Sequence, residues 1–349
     1  MTHSRAIVKT AILSLPLLAF TLSAPAALAA DVNIYTSRQP DLIQPVLDAF
    51  TKDTGLSTAT IFIDKGLEER IKAEGANSPA DLIMTVDIGR LDAAKQADVV
   101  QPVTSETLEK NIPAKFRDSE KDWFALTARA RVVYASKERV DIDQISYKEL
   151  ADPKWKGRLC TRSGQHQYNI ALIAAYIAHY GEDEARKWVA GLRDNLARRP
   201  EGGDRDQAKA IFAGECDIAL GNTYYVGKMA TDEKEPEQKE WAAAIKVIMP
   251  TFENGLTHVN VSGVSLAKNA PHKDNAVKLM EFLSSDEAQK IYAELNYEYP
   301  VEPGIETSDL VKSFGELKPD TLPLDEIAKN RALASEIVDA VNYDGGPQS

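Results

Sequence analysis

Two stretches of this chain, 123–135 and 258–266, run rich in β-formers with no turn signal between their ends. The chain around them alternates between strand and helix. Residues 32–36 are β-rich, Pro40 and Asp41 open a helix carrying Leu42, Ile43, Val46, Leu47 and Phe50 at helical spacing, and Gly55 stops it. Residues 58–63 read as the next strand, 66–73 as a second helix and 80–86 as a buried strand. Alternation at this spacing predicts a parallel sheet covered by helices on both faces. Residues 136–257 alternate in the same way. The long runs are then strands crossing between two α/β lobes, the second lobe inserted into the first. Further on, Ala276, Leu279, Met280 and Leu283 follow helical spacing, as do Ala288, Ile291, Tyr292 and Leu295 behind a Ser285 cap. Residues 324–341 read as one more amphipathic helix, and the last eight residues as a frayed tail.

Residues 1–29 read as a cleavable export signal. Arg5 and Lys9 precede an apolar stretch over 11–22, and Ala27-Leu-Ala29 is a small-x-small cleavage site. Removing 29 residues from 349 leaves 320, enough for two domains of about 100–200 residues each. Removing Arg5 and Lys9, the only Lys or Arg among them, takes the net charge from −12 to −14. So acidic a surface argues against nucleic acid and anionic lipid as partners, and no later segment is apolar enough to insert in a membrane. An exported chain with two cysteines, Cys160 and Cys216, points to one disulfide.

Each cysteine precedes a tyrosine by eight residues: Cys160 leads to Tyr168, and Cys216 to Tyr224, with Tyr225 beside it. Both segments read as a short strand, a polar turn and a helix start. If the two strands are parallel neighbours, all three phenols gather at one end of the sheet. Adjacent residues of a strand face opposite ways, so Tyr224 and Tyr225 can share a ligand only where the chain turns into a helix. Asn222 and Thr223 are suited to cap that helix, and its N-terminus favours an ionised phenol. Phenolates are hard oxygen donors suited to a hard trivalent cation, and three of them cancel the charge of one ferric ion. An anion completing the coordination would need cations, for which Arg38 and Arg129 are candidates at strand ends. Paired tyrosines are also common as plain packing residues, His166 reads as an exposed loop histidine, and His258 and Asn260 as hydrogen-bonding residues of the hinge. Catalytic patterns fail: no His-Glu-x-x-His or Cys-x-x-Cys occurs, and Gly263-Val-Ser-Leu-Ala267 lacks the second glycine of a nucleophile elbow. Residues 221–228 have one residue too many for a phosphate loop. An enzyme is therefore not expected.

Seven motifs together resemble those of periplasmic ferric-iron-binding proteins, the receptors of iron ABC transporters. They are Asn33-Ile-Tyr-Thr-Ser-Arg38, Glu74-Gly-Ala-Asn-Ser-Pro-Ala-Asp81, Thr85-Val-Asp87, Leu126-Thr-Ala-Arg-Ala-Arg131, Asp152-Pro-Lys-Trp-Lys-Gly157, Gly221-Asn-Thr-Tyr-Tyr225 and Thr257-His-Val-Asn-Val-Ser-Gly263. The resemblance implies an α/β, two-lobed periplasmic-binding-protein clamshell of type 2 with two hinge strands. The lobes would comprise 30–131 with 258–300, and 132–257 with 301–349. It implies Fe3+ held in the cleft by Tyr168, Tyr224 and Tyr225, a synergistic carbonate or bicarbonate against Arg38 and Arg129 (or Arg131 in its place), and a monomeric receptor docking on an inner-membrane ABC permease. Many relatives carry His, or His-Tyr, after the first strand. Here Gln39 and Pro40 follow Arg38, neither a usual iron ligand, which places this chain in the subgroup relying on second-lobe tyrosines. The alternative is a receptor of the same fold for a polyamine, a sugar or an oxyanion.

Overall fold

The computed structural model describes residues 30–347; the export-signal reading falls on residues outside them. Ten strands are present among the described residues: β1 Val32–Thr36, β2 Thr58–Phe62, β3 Leu82–Thr85, β4 Val100–Gln101, β5 Phe124–Ser136, β6 Leu159–Cys160, β7 Ile218–Asn222, β8 Ile245–Ile248, β9 Val259–Ala267 and β10 Tyr299–Pro300. They join in the order β2-β1-β3-β9-β5-β7-β6, with β4 on β9 and with β8 and β10 on β5.

β5 is the strand common to the whole sheet. Its first half, Phe124–Ala130, pairs with β9, and Arg131–Ala135 pairs with β7. All 13 of its residues are buried, the alternating Thr127, Arg129 and Arg131 included. The sheet is mixed where the alternating pattern predicted a parallel one. β1 runs parallel to β2 and β3, and β6 parallel to β7, but β9 and β5 are antiparallel to each other and to the strands flanking them. The second long run, expected to cross as β5 does, pairs only with β3, β4 and the first half of β5.

The helices form where spacing and punctuation direct. Pro40–Thr54 starts with proline at its first turn, where the missing N–H is no loss, and ends on Gly55 at φ 74°, whose N–H donates to the Thr51 carbonyl. Ser285 caps Asp286–Leu295 by accepting from the Ala288 N–H. The single helix expected over 324–341 is two, Leu324–Lys329 and Arg331–Ala340, broken at Asn330.

Tyr343 and Asp344, within the last eight residues expected to fray, are docked. Tyr343 is buried and bonds to the Thr161 hydroxyl at 2.9 Å. The Asp344 carboxylate accepts from the Gly164 N–H at 2.7 Å and the Ser163 hydroxyl at 2.6 Å. Gly164 is required at this contact: a Cβ there would stand 2.7 Å from the Tyr343 ring. The C-terminal segment thus fixes the loop that leads to Tyr168. Cys160 and Cys216 are disulfide-bonded across 56 residues and flank the same two chain segments.

Candidate metal site

β6 and β7 are parallel neighbours, with Leu159 opposite Ile218 and Cys160 opposite Ala219. The loops leaving them therefore open on one end of the sheet. One enters the helix Gln167–Tyr180, the other the helix Thr223–Ala230. Tyr168 sits in the first turn of one helix, and Tyr224 and Tyr225 in the first turn of the other. The Tyr168 and Tyr224 hydroxyls are 3.2 Å apart, and the Tyr224 and Tyr225 rings lie 4.2 Å centroid to centroid. The three tyrosines form one buried cluster with Leu42, and Tyr297 packs on it.

Local sequence makes this possible. Gly221, just before the turn, has no room for a side chain, because a Cβ there would strike the Tyr134 ring. The Tyr134 hydroxyl donates to the Asn222 carbonyl. The Asn222 side chain, expected to cap the helix, instead accepts from Arg131 at 3.2 Å. His166, expected to be an exposed loop residue, caps the helix of Tyr168: its Nδ1 accepts from the Tyr168 N–H at 3.2 Å, and its ring meets the Tyr168 ring edge-on at 4.6 Å. Burial, aided by the Arg162 charge, pushes the His166 pKa down to about 3. His258 and Asn260 do bond at the junction. The His258 N–H donates to the Tyr147 hydroxyl, and Asn260 bridges Asp87 and the Ile88 N–H.

Two buried carboxylates that sequence reasoning missed organise the surroundings. Asp204 pairs with Arg131 at 2.7 Å and with Arg162 at 3.2 Å, and accepts from the Asn222 N–H at 2.8 Å. Arg131 reaches on to Asn169 at 2.8 Å, and Asn169 donates to the carbonyls of Arg162 and Ser163. One network thus braces both tyrosine-bearing segments from beneath. Burial pushes the Asp204 pKa up, but Arg131 and Arg162 outweigh it and hold the carboxyl below its ordinary value.

Glu298, just before β10, forms the second network. It pairs with Arg38 and, at 3.0 Å, with Arg129; both guanidiniums also donate to Ser262, and Arg38 Nε donates to the Leu42 carbonyl at 3.1 Å. All three charged side chains are at most 2 % exposed. Arg129 lies within β5, away from the strand end where it was expected, and faces the Tyr224 ring at 5.8 Å. Arg129 and Arg131, which could have been surface charges, are both buried. Gln39 is exposed, and the apolar Leu42 packs against the tyrosines.

Burial, then the neighbouring Tyr168 phenol, raises the pKa values of Tyr224 and Tyr225 above the ordinary phenol value, against the lowering expected from a helix N-terminus. Both are neutral phenols at neutral pH. A cavity of about 650 Å³ alongside is lined by Arg90, His166, Gln167 and Arg331. Arg90 spans to Gln167 at 2.7 Å, and Arg331 to Asp87 at 2.9 Å.

The profile of the family described as bacterial extracellular solute-binding protein matches residues 77–330, and the chain belongs to this family. Iron uptake protein A1 of Synechocystis sp. is 43% identical over 316 residues, 90% of this chain and 87% of that protein. The structure of apo ferric ion-binding protein A from Pasteurella haemolytica superposes with a TM-score of 0.86 at 52% identity, covering 90% of this chain and 98% of that one. A Trichodesmium protein in complex with iron and citrate ligands superposes with a TM-score of 0.84 at 44% identity, covering 89% and 99%. The α/β fold is that of the periplasmic binding proteins, as the sequence motifs implied.

Proposed function

We propose that the protein is a periplasmic receptor that binds ferric iron and hands it to the permease of an inner-membrane ABC transporter. The observation that carries the reading is the convergence of the Tyr168, Tyr224 and Tyr225 phenols at one end of parallel strands, two of their oxygens 3.2 Å apart. Iron uptake and ferric-binding proteins among the relatives support it. In this reading the lobes are 30–131 with 258–300, and 132–257 with 301–349, preceded by a leader over 1–29, and the receptor is a monomer without enzymatic activity. Fe3+ is held by the three tyrosinates together with a carbonate or bicarbonate. Arg38 and Arg129 supply the buried positive charge that draws the anion, Glu298 leaving the pair one net positive charge.

Binding proceeds by exchange. Iron meets neutral phenols, their protons leave, and closure of the lobes is favoured because the closed form binds the ion better. The alternative polyamine receptor would need free carboxylates in the cleft. Glu298 and Asp204 are each neutralised by two arginines, which favours the phenols as the recognition element. Ferric citrate titrated into iron-free protein should raise a visible phenolate-to-iron charge-transfer band at one ion per chain. A colourless mixture retaining no iron would overturn the reading.

A further inference from the structure

One side chain from the first half of the sheet grips the helix that carries two of the phenols. Tyr297 follows the helix Asp286–Leu295, which packs on Pro40–Thr54, and precedes β10, which pairs with the first half of β5. The helix it meets, Thr223–Ala230, follows β7, which pairs with the second half of β5. The Tyr297 ring lies against Gly227: a Cβ there would stand 2.3 Å from the ring and 2.6 Å from the Tyr297 Cβ. Gly227 is three residues beyond Tyr224, one turn along the same face of the helix. The Tyr297 hydroxyl donates to the Thr231 hydroxyl at 3.1 Å, which in turn donates to the Gly227 carbonyl at 3.0 Å. The ring also packs on the cluster of Leu42, Tyr168, Tyr224 and Tyr225. Its backbone sits at φ 59°, and it is the one aromatic among the four described non-glycine residues at positive φ. The neighbours hold it there. The Asn296 side chain donates to the Leu42 carbonyl at 2.8 Å, and Glu298 pairs with Arg38 and Arg129. A bulky residue stays in such backbone only where its surroundings over-determine it, and residues so held cluster at functional sites.

We propose that Tyr297 is a positioning residue of the iron site. Its ring, seated on Gly227, fixes the depth and roll of the helix Thr223–Ala230, so that Tyr224 and Tyr225 meet the ion from a frame shared by both halves of the sheet. The first half thereby helps to hold iron without supplying a ligand. Because the contact spans the two halves, it resists their separation while the ion is bound and slows the ion's escape. The proposal rests on the ferric-receptor reading and deepens it by naming the residue that ties the phenols to the first half.

The test loads the full chain with iron, adds excess EDTA and follows the decay of the charge-transfer band as the release rate. Y297A removes the ring and should speed release by about tenfold or more, as loss of a packed aromatic contact implies. G227A puts a methyl group where the ring rests and should do the same, although alanine suits a helix better than glycine. Y297F and T231V each remove the one hydroxyl bond and should speed release by about threefold. The double variant should be no faster than either single one, since both remove the same bond. T231S keeps the acceptor and should release iron like the wild type, a rescue that decides the matter even where loss of the ring lowers stability. Wild-type release from Y297A and G227A overturns the proposal. So does a lowered melting temperature of the iron-free variants with release unchanged, which assigns Tyr297 a structural role only. A wild-type protein with no band overturns the ferric reading itself, a distinct outcome.

Discussion

Each phenol must lose its proton to bind a cation, and burial of Tyr224 and Tyr225 opposes that loss in the empty site. Their raised pKa values mean that protons leave only as iron arrives, so affinity should fall as pH falls, by up to about three decades per pH unit if all three phenols ionise. Equilibrium dialysis of iron between about pH 8 and 6 measures that slope; a flat profile would remove the phenols from the coordination. Tyr225→Phe should weaken the charge-transfer band sharply while the fold, by circular dichroism, is unchanged. At this scale the tyrosines were legible because their spacing from the two cysteines repeats. Glu298 and Asp204 were not. Glu298 meets its arginines across 260 and 169 residues, Asp204 meets Arg131 across 73, and no local pattern announces a carboxylate whose partners lie so far along the chain.

Strands and helices were legible wherever one face is buried and a Pro, Ser or Gly marks an end, as in Pro40–Thr54 and Asp286–Leu295. Pairing direction was missed, since a strand buried on both faces reads alike in parallel and antiparallel sheets. The frayed-tail expectation failed because polarity hid a single buried anchor, Tyr343. Two element-scale consequences are measurable. The disulfide closes a span of 56 residues between the strands that lead to the tyrosines. Replacing both cysteines by serine should cost about 2–5 kcal/mol in denaturant unfolding. Asp344→Ala removes the acceptor for the Gly164 N–H and the Ser163 hydroxyl, releasing the loop before Tyr168. Iron affinity should drop by about tenfold or more, as loss of charge-assisted bonds implies, with the Tyr224 and Tyr225 helix unaffected in hydrogen exchange. Unchanged affinity would show that the C-terminal clasp does not position Tyr168.

Across the whole molecule, the junction between the two halves of the sheet holds a buried neutral histidine. Burial pushes the His258 pKa down to about 3, and its Nδ1 has no partner. Unfolding restores the ordinary value of about 6.5, so the unfolded chain takes up more protons between those limits. Stability is therefore full above about pH 6.5 and declines as pH falls towards 3, by about 2 kcal/mol between pH 7 and 5 from this residue alone. Urea melts at the two pH values measure the decline, and His258→Gln should remove its share, leaving the share of the similarly depressed His166; an equal slope in the variant would assign the acid sensitivity elsewhere. The two-part architecture was legible from the one uninterrupted run that became β5. Along that strand Arg129 answers to Glu298 and Arg131 to Asp204, two residues apart on one face. Each arginine belongs to a different half of the sheet, since pairing passes from β9 to β7 between them. The strand therefore works as a ruler, setting the two charge networks about 7 Å apart. Substitutions elsewhere can drift in either half, but a single insertion or deletion between 129 and 131 would turn one arginine to the opposite face and strand its carboxylate. In the descent of such a chain, this three-residue interval is a segment whose length is forbidden to change.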